Sequence, residues 1–326
     1  MRILVTGITG RIGANLAAAL VAQGHEVRGL VWGRDARTEK LRPLGVELIE
    51  GNLTEAADVA RAVEGMDVIY HLGGAFQGGG PFSTEDYFQI NVRGTFLMLE
   101  AARGMPRLQQ FLFASTDALY DKYPPTGMAT PIDPDTAPRR PRGWYPLSKS
   151  VGEELCDGYW RTYRTPITTL RFALTVGAGE ILHFPQFRLS KLKATYLDLE
   201  PLWHGKEQLV IMRDHHGRAW RKHIADVRDI VAGCVAALGV PEALGQTFQL
   251  AGPAPFTWDE AIPYLAERLE LPYVDARSLG VPTYYEFDLS KGRELLNFAP
   301  QYDIFRMIDD ALAFERGENT GVLATG

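Results

Sequence analysis

The fold is decided by residues 3–13, Ile3-Leu4-Val5-Thr6-Gly7-Ile8-Thr9-Gly10-Arg11-Ile12-Gly13. The apolar residues at the start predict a short strand buried on both faces, and the glycines predict a tight turn into a helix. Glycine lets the backbone approach a pyrophosphate closely, and the unpaired N–H groups at the start of the helix then face that anion. The stretch therefore predicts a dinucleotide site, with a ligand-free strand-to-helix turn as the alternative.

Strand and helix patterns alternate through the first half of the chain. Apolar runs predict strands at 3–6, 26–31, 46–50, 68–72, 111–114 and 167–172. Between them, apolar residues at helical spacing predict helices at 11–21, 55–63, 92–102 and 145–163, the second with Thr54 as its N-cap. This alternation predicts an α/β fold with a Rossmann-type doubly wound parallel sheet.

A second motif, Tyr145-Pro146-Leu147-Ser148-Lys149, places a tyrosine and a lysine one helical turn apart. It follows a predicted strand that ends in Ala114-Ser115-Thr116. A glycine turn, a hydroxyl at a strand end and Tyr-x-x-x-Lys, in this order, resemble the extended short-chain dehydrogenase/reductase family, the group of NAD-dependent epimerases and dehydratases. Further segments that are similar to the family lie at 70–74, 91–95, 111–116 and 222–229.

The alternation stops after residue 172, and 173–215 shows weak periodicity. A helix at 225–238 and a strand at 247–250 follow, and then helices at 258–269 and 304–315. In the family, a smaller substrate lobe is built from such late pieces. We therefore expect a dinucleotide-binding domain of 1–172 plus about 217–250. The discontinuous C-terminal substrate lobe would comprise about 173–216 and 251–326.

The expected chemistry is hydride transfer at a hydroxyl or carbonyl carbon. A tyrosine with a pKa of about 10 needs that pKa lowered to act as a base near neutrality. A lysine ammonium beside it would lower the pKa, so Tyr145 is the candidate acid/base and Lys149 the group that tunes it. The resemblance implies that Lys149 also contacts the nicotinamide ribose and that Thr116 holds the substrate oxygen. The alternative is two surface residues on an amphipathic helix.

The cofactor is expected to be NAD(P). Val31 stands where the family places the carboxylate that selects NAD, and Arg34 follows three residues later, which favours NADP. Asp35 keeps NAD as the alternative, because its carboxylate could reach the ribose if the loop folds inward. Asn52 and Leu53 replace the family's Asp-Leu at the adenine edge. Asn91 is predicted either to fix the backbone or a water beside the catalytic helix or to cap its own helix. The expected cofactor residues are Gly7, Gly10, Arg11, Ile12, Gly13, Arg34, Asn52, Leu53, Leu72, Gly73, Asn91, Tyr145 and Lys149.

Two departures from the family concern the substrate. Thr116-Asp117-Ala118 lacks the glutamate of the dehydratases, so elimination of water is not expected, although Asp117 is a candidate substrate contact. Leu174 replaces an asparagine that commonly touches a nucleotide-sugar phosphate. A small sugar or sugar acid is therefore expected. Arg221 and Lys222 keep a nucleotide-sugar epimerase as the alternative, and a non-catalytic NADP-binding regulatory protein is the rival of a different class.

Bulk properties limit the partners. The net charge of −6 and the lack of a basic stripe argue against nucleic acid, and no apolar run in the sequence is long enough for a membrane span. Without a signal region, and with only Cys156 and Cys234, we expect a cytoplasmic protein with free thiols. His215-His216 lacks a partner at metal-ligand spacing, so no metal site is expected. A homodimer is expected through helices 92–102 and 145–163, with candidate contacts at Phe96, Leu97, Leu155 and Tyr159.

Overall fold

The computed structural model describes residues 1–76 and 82–325. Its strands, in chain order, are β1 Arg2–Thr6, β2 Glu26–Val31, β3 Glu47–Glu50, β4 Val68–His71, β5 Gln110–Thr116, β6 Ile167–Phe172, β7 Thr175–Val176, β8 Leu209–Arg213, β9 Arg221–Lys222, β10 Ala225–Asp226, β11 Gln246–Leu250, β12 Phe256–Thr257 and β13 Tyr273–Arg277. Seven of them form one parallel sheet in the order β11-β6-β5-β4-β1-β2-β3. The Rossmann-type sheet predicted from the alternation is thus confirmed.

The helices flank this sheet and build the lobe beyond it. They are α1 Arg11–Ala22, α2 Ala36–Glu39, α3 Ala56–Val63, α4 Thr84–Asp86, α5 Gly94–Arg103, α6 Trp144–Tyr163, α7 Leu189–Leu192, α8 Val227–Ala236, α9 Trp258–Leu269, α10 Ser290–Leu296 and α11 Ile304–Glu315. Short 3-10 turns occur at Arg42–Leu44, Asp117–Leu119, Glu180–His183, Pro185–Phe187, Leu197–Leu202 and Pro241–Ala243.

The position of β1 fixes where a ligand can bind. Its strand lies between β4 and β2, so the chain order reverses there and the loops at the carboxyl ends diverge into a crevice. Ile3, Leu4 and Val5 are fully buried, as the apolar run predicts for a strand covered on both faces. The glycine turn leaves β1 at this crevice.

Two helix starts differ from the prediction. Helix α3 has Glu55 as its N-cap, because the carbonyl oxygen of Glu55 accepts from the N–H groups of Asp58 and Val59, the first bonds of the helix. The helix expected at 92–102 begins earlier, since Thr84–Asp86 runs into a π-helical segment, Tyr87–Arg93, before α5. Asn91 therefore lies inside a helix and does not cap one.

A second apolar core lies apart from the cores of the sheet. Its buried members come from 176–212, 220–224, 256–276 and 304–311. Strands β8 and β13 pair in parallel beside it, and weak sequence periodicity gave no sign of them. The segment from Tyr285 to Phe298 instead packs on a core of the sheet. The domain boundaries stay a prediction, since Trp220 and Ile224 of the second core lie within 217–250, the stretch expected to belong to the dinucleotide-binding domain.

Several smaller expectations concern single residues or long helices. Cys156 and Cys234 are buried free thiols. His215 and His216 lie in an exposed turn before Gly217. Across residues 1–76 and 82–325, no helix has the length and apolar character needed to cross a membrane.

Candidate active site

Glycine is needed for a different structural reason at each of the three positions in the first turn. Gly7 has φ +69°, and a Cβ there would lie 2.8 Å from the backbone nitrogen of Gly73. A Cβ at Gly13 would overlap the carbonyl oxygen of Gly7, so glycine lets α1 pack against the turn. A Cβ at Gly10 would meet only that same oxygen, at 3.3 Å, among the described residues. Gly10 is exposed, so its missing side chain leaves space for a ligand.

The start of α1 fits the pyrophosphate of a dinucleotide. Gly10 is its N-cap without a side-chain cap, and the first turn carries no acidic residue, so the free N–H groups face the crevice. Arg11 lies beside them and pairs with Glu180 at 2.7 Å. Its Nε is buried and has no hydrogen-bond partner among the described residues. Ile12, by contrast, packs against the core of the sheet.

A chain of hydrogen bonds connects the glycine turn with the next helix. The N–H of Gly73 donates to the Thr6 hydroxyl at 2.9 Å, and that hydroxyl contacts His71 Nδ1 at 2.9 Å. His71 Nε2 contacts the Thr95 hydroxyl at 3.1 Å, which donates to the carbonyl oxygen of Asn91 at 2.6 Å. Burial lowers the pKa of His71 to about 3, so the ring is neutral, with Nε2 as donor and Nδ1 as acceptor.

Asn91 continues this connection to the catalytic helix. Its side-chain amide binds the backbone of Ala75 from both ends, at 2.7 and 3.0 Å, and donates to the Ser148 hydroxyl at 2.8 Å. Ser148 in turn donates to the carbonyl oxygen of Tyr145 at 2.8 Å. Of the two roles predicted for Asn91, its bonds are those of a residue that fixes the backbone beside α6.

Two of the three predicted catalytic side chains, Thr116 and Tyr145, meet where β5 ends and α6 begins. Thr116 is the last residue of β5, and its hydroxyl lies within hydrogen-bonding range of the Tyr145 phenol. Tyr145 sits in the first turn of α6, where its ring packs against Phe76 and Tyr87. Lys149 is one turn further along and buried. The arrangement brings a proton donor and a second hydroxyl to one place, with an ammonium group one helical turn away.

Burial dominates the electrostatics of this pair. Burial raises the pKa of Tyr145 to about 12, against a lowering by the hydrogen bond from Thr116. Burial also lowers the pKa of Lys149 to about 8, while Cys156 and Glu153 raise it. Lys149 Nζ lies 4.4 Å from the centre of the Phe113 ring, a cation–π contact. The phenol pKa is thus raised mainly by desolvation, and Lys149 is not among the groups that shift it, so its lowering by Lys149 stays a prediction.

The adenine end contains the residues predicted to read the ribose. Arg34 is largely exposed, and its Nε donates to Glu50, at the end of β3, at 2.9 Å. Asp35 caps α2 and pairs with Arg37. Both charges are thus balanced within the chain, so neither is free to act alone on a ribose or its phosphate.

Asn52, Leu53 and Leu72 border the same crevice near Gly73. Asn52 accepts from the N–H of Thr54 at 3.0 Å, which uses one lone pair of the oxygen expected to meet the adenine. Leu53 lies next to Gly73, where an added Cβ would be 2.8 Å from its side chain. Leu72 is half-buried and packs against the core of the sheet.

The predicted substrate residues fall into two places. Asp117 and Lys222 are buried and electrostatically coupled through Lys122, which forms an ion pair with Asp117. Arg221 points the other way from β9, because neighbouring strand residues face opposite sides, and pairs with Glu286. Lys122 was missed by the sequence, since no motif marks a lysine in the loop after β5.

Comparison with known proteins identifies the family. The family model described as "NAD dependent epimerase/dehydratase family" matches residues 3–251. An uncharacterized UDP-glucose epimerase of Bacillus subtilis is 28% identical over 96% of this chain and 98% of its own length. A short-chain dehydrogenase/reductase superfamily protein of Agrobacterium tumefaciens, solved with bound NAD, is 32% identical over 98% of this chain and 100% of its own, with a TM-score of 0.84.

A more distant structure shares the fold. The UDP-glucuronic acid 4-epimerase of Bacillus cereus, in complex with NAD, is 21% identical over 97% of this chain and 99% of its own, with a TM-score of 0.75. The glycine turn, the residues at the end of β5 and the Tyr-x-x-x-Lys of α6 hold the positions that the resemblance implied. The chain belongs to the NAD-dependent epimerase/dehydratase family.

Proposed function

We propose that this chain is an NAD(P)-dependent oxidoreductase or epimerase that acts on a hydroxyl or carbonyl carbon of a small sugar or sugar acid. The observation that carries the proposal is the proximity of Thr116 and Tyr145 at the carboxyl edge of the sheet, where the glycine turn also lies, with buried Lys149 one helical turn from Tyr145. A scaffold protein that only senses NADP would have no need of a buried lysine one turn from a tyrosine. The regulatory alternative is therefore the weaker one.

The residues divide the work by their chemistry. The Thr116 hydroxyl is held by the N–H of Ala118 at 3.2 Å and donates to the substrate oxygen. The Tyr145 phenol exchanges the proton of that oxygen. The Lys149 ammonium stabilises the phenolate that forms. The nicotinamide, when bound at the glycine turn, supplies or accepts the hydride.

The relatives and the residues of this chain point to different substrates. The Bacillus subtilis relative is named a UDP-glucose epimerase, which favours a nucleotide sugar as the second candidate. In this chain Leu174 packs against the lobe core and offers no side-chain amide to a phosphate. Arg221 is already paired with Glu286. We therefore favour a small sugar acid, and we expect no dehydration because Ala118 has no carboxylate.

The cofactor preference follows from Arg34. To bind the 2′ phosphate of NADP, Arg34 has to exchange its contact with Glu50 for one with the phosphate. The gain over NAD is then small, so NADP is favoured only modestly. We also propose a cytoplasmic location, since both cysteines are free thiols, as a reducing compartment keeps them.

A homodimer is proposed on the face that α5 and α6 present. Phe96, Leu147 and Val151 are exposed on these helices. An exposed apolar face of this kind is normally covered by a partner. Leu97 and Leu155 are half-buried. Tyr159, expected at the interface, is buried and donates to Glu100 at 2.5 Å inside the subunit, so it does not belong to that face. Light scattering of Val151→Glu beside the wild type tests the proposal, which a monomeric wild type at micromolar concentration contradicts.

The function is tested by incubating the protein with NAD or NADP and a panel of neutral sugars, sugar acids and nucleotide sugars. Accumulation of reduced cofactor with a sugar acid identifies a dehydrogenase. A change of configuration without reduced cofactor identifies an epimerase. Turnover of UDP sugars alone would replace the small-substrate proposal with the nucleotide-sugar epimerase. No turnover of any member, with cofactor bound, would favour the regulatory alternative.

A further inference from the structure

A cluster of buried charges lies beside Thr116. Lys122 is 5% exposed and forms an ion pair with Asp117, the residue after Thr116. Lys222 is 4% exposed and donates to the side-chain oxygen of Gln186 at 2.6 Å. Lys122 comes from the loop after β5, whereas Lys222 belongs to β9, next to the lobe core. The cluster therefore lies where the sheet meets the lobe.

The charges in this cluster do not balance. Two ammonium groups share one carboxylate, that of Asp117, and the partner of Lys222 is a neutral amide. Burial, together with the nearby charge of Lys122, lowers the pKa of Lys222 to about 7, although Asp117 raises it. His223, the next residue, adds no charge, because burial lowers its pKa to about 4. An anion placed here would remove the imbalance.

A third polar group in the cluster also lacks a partner. The Tyr285 ring lies 4.8 Å from Lys122 Nζ, and the residue is 1% exposed. Its hydroxyl forms no hydrogen bond of acceptable geometry within the described residues. A buried hydroxyl without a partner costs free energy, so a missing acceptor is expected nearby.

We propose that Lys122, Lys222 and Tyr285 bind a carboxylate of the substrate while its reacting carbon lies at Thr116 and Tyr145. This inference rests on the proposed function, because it assigns the acidic group of the substrate used there. With Lys222 protonated, the cluster has one net positive charge, which matches a single carboxylate and not the higher charge of a nucleoside diphosphate. Its proximity to Thr116 also requires an acidic group only a few bonds from the reacting carbon.

The test is equilibrium binding, which needs no turnover. Calorimetric titration of D-glucuronate, D-glucose and UDP into NAD-saturated Tyr145→Phe measures recognition without conversion of the probe. We expect glucuronate to bind at least ~10-fold more tightly than glucose, the scale of a charge-assisted hydrogen bond. Adding Lys222→Met to this variant should remove that difference in affinity and leave the affinity for glucose unchanged. Lys193→Met is the matched control, since Lys193 pairs with Glu200 at the surface of the lobe.

Each other outcome overturns the assignment. Equal binding of glucuronate and glucose, or glucuronate binding that survives Lys222→Met, shows that the cluster does not bind a carboxylate. Dependence of UDP binding on Lys222 assigns it to a phosphate. Failure of the proposed function is seen separately, as normal turnover in Tyr145→Phe, and does not alter the binding results.

A pH series supplies a measurement that stands if the Lys222 variant does not fold. The pKa of Lys222 near 7 means that its charged form grows as the pH falls through neutrality. The carboxylate of glucuronate stays ionised over this range. Glucuronate affinity should therefore be several-fold higher at about pH 6 than at about pH 8, with proton uptake on binding. Glucose affinity should not change, and a pH-independent glucuronate affinity contradicts the proposal.

Discussion

The two sides of the active-site crevice are stabilised in opposite ways. On the cofactor side, Thr6, His71 and Asn91 are neutral and each is fully engaged by neighbours in the chain. On the substrate side, two buried lysines, Lys122 and Lys222, have only one carboxylate between them, and it is paired with Lys122. Neutral, paired groups hold a fixed shape at little cost, whereas an unbalanced buried charge is costly unless a ligand completes it. The fold thus fixes the shape of the cofactor side, whereas in our proposal the charge of the substrate side selects the substrate.

The largest expected effect separates chemistry from shape. Tyr145→Phe keeps the ring that packs against Phe76 and Tyr87 but removes the hydroxyl. Turnover should fall by about 10²-fold or more, as for loss of an acid/base group, while cofactor affinity stays unchanged. Steady-state kinetics and cofactor titration measure the two quantities.

Tyr159→Phe is the matched control for this variant. It removes a hydroxyl from the same helix that donates to Glu100, away from the crevice. Its turnover should match the wild type. Near-normal turnover of Tyr145→Phe would exclude that residue from the mechanism.

The next effect tests the charge imbalance on the substrate side. Asp117→Asn leaves Lys122 buried without its carboxylate, which should lower the free energy of unfolding by about 3 kcal/mol. Chemical denaturation measures it. Asp121→Asn is the comparison, because Asp121 pairs with exposed Arg140 and Arg142 and should cost less than about 1 kcal/mol. Equal stabilities of the two variants would show that the cluster is not held by this ion pair.

A smaller effect distinguishes the glycines on the cofactor side. Gly10→Ala should weaken NAD binding by about tenfold, or ~1.4 kcal/mol, because its methyl group enters the space for the pyrophosphate. Its melting temperature should stay close to that of the wild type. Gly13→Ala places a Cβ against the Gly7 carbonyl oxygen and should lower the melting temperature. Unchanged NAD affinity in Gly10→Ala would mean that the turn does not hold the cofactor there.

The smallest effect concerns the ribose end. Arg34→Ala should weaken NADP binding a few-fold, below about 1 kcal/mol, and spare NAD, since the guanidinium is exposed and already paired. Glu50→Gln should do the reverse and strengthen NADP binding by releasing Arg34. Titration of both nucleotides measures the ratio. Equal changes for NAD and NADP would show that Arg34 does not read the 2′ phosphate.

The sequence predicted what short segments determine. The glycine turn, the parallel strands and the Tyr-x-x-x-Lys helix each depend on residues close together in the chain, and the structure contains them. The sequence did not predict that Lys122 lies near Lys222, nor the contact of His71 with Thr6. Those partners are 100 and 65 residues apart, and tertiary packing alone brings them together. The pKa of Tyr145 was missed for the same reason, because burial is a property of the whole fold.

The interleaved second core has a consequence for how such an enzyme changes its specificity. Its buried residues come from four stretches, and between them lie α8, β11 and the segment from Tyr285 to Phe298, which contribute to a core of the sheet. A single genetic exchange cannot replace this lobe without also replacing β11 and α8. New substrate preferences must then arise by point substitutions at positions such as Leu174, Lys122 and Lys222. The chemistry at Tyr145 would be inherited intact, while the charge opposite it is free to diverge between lineages.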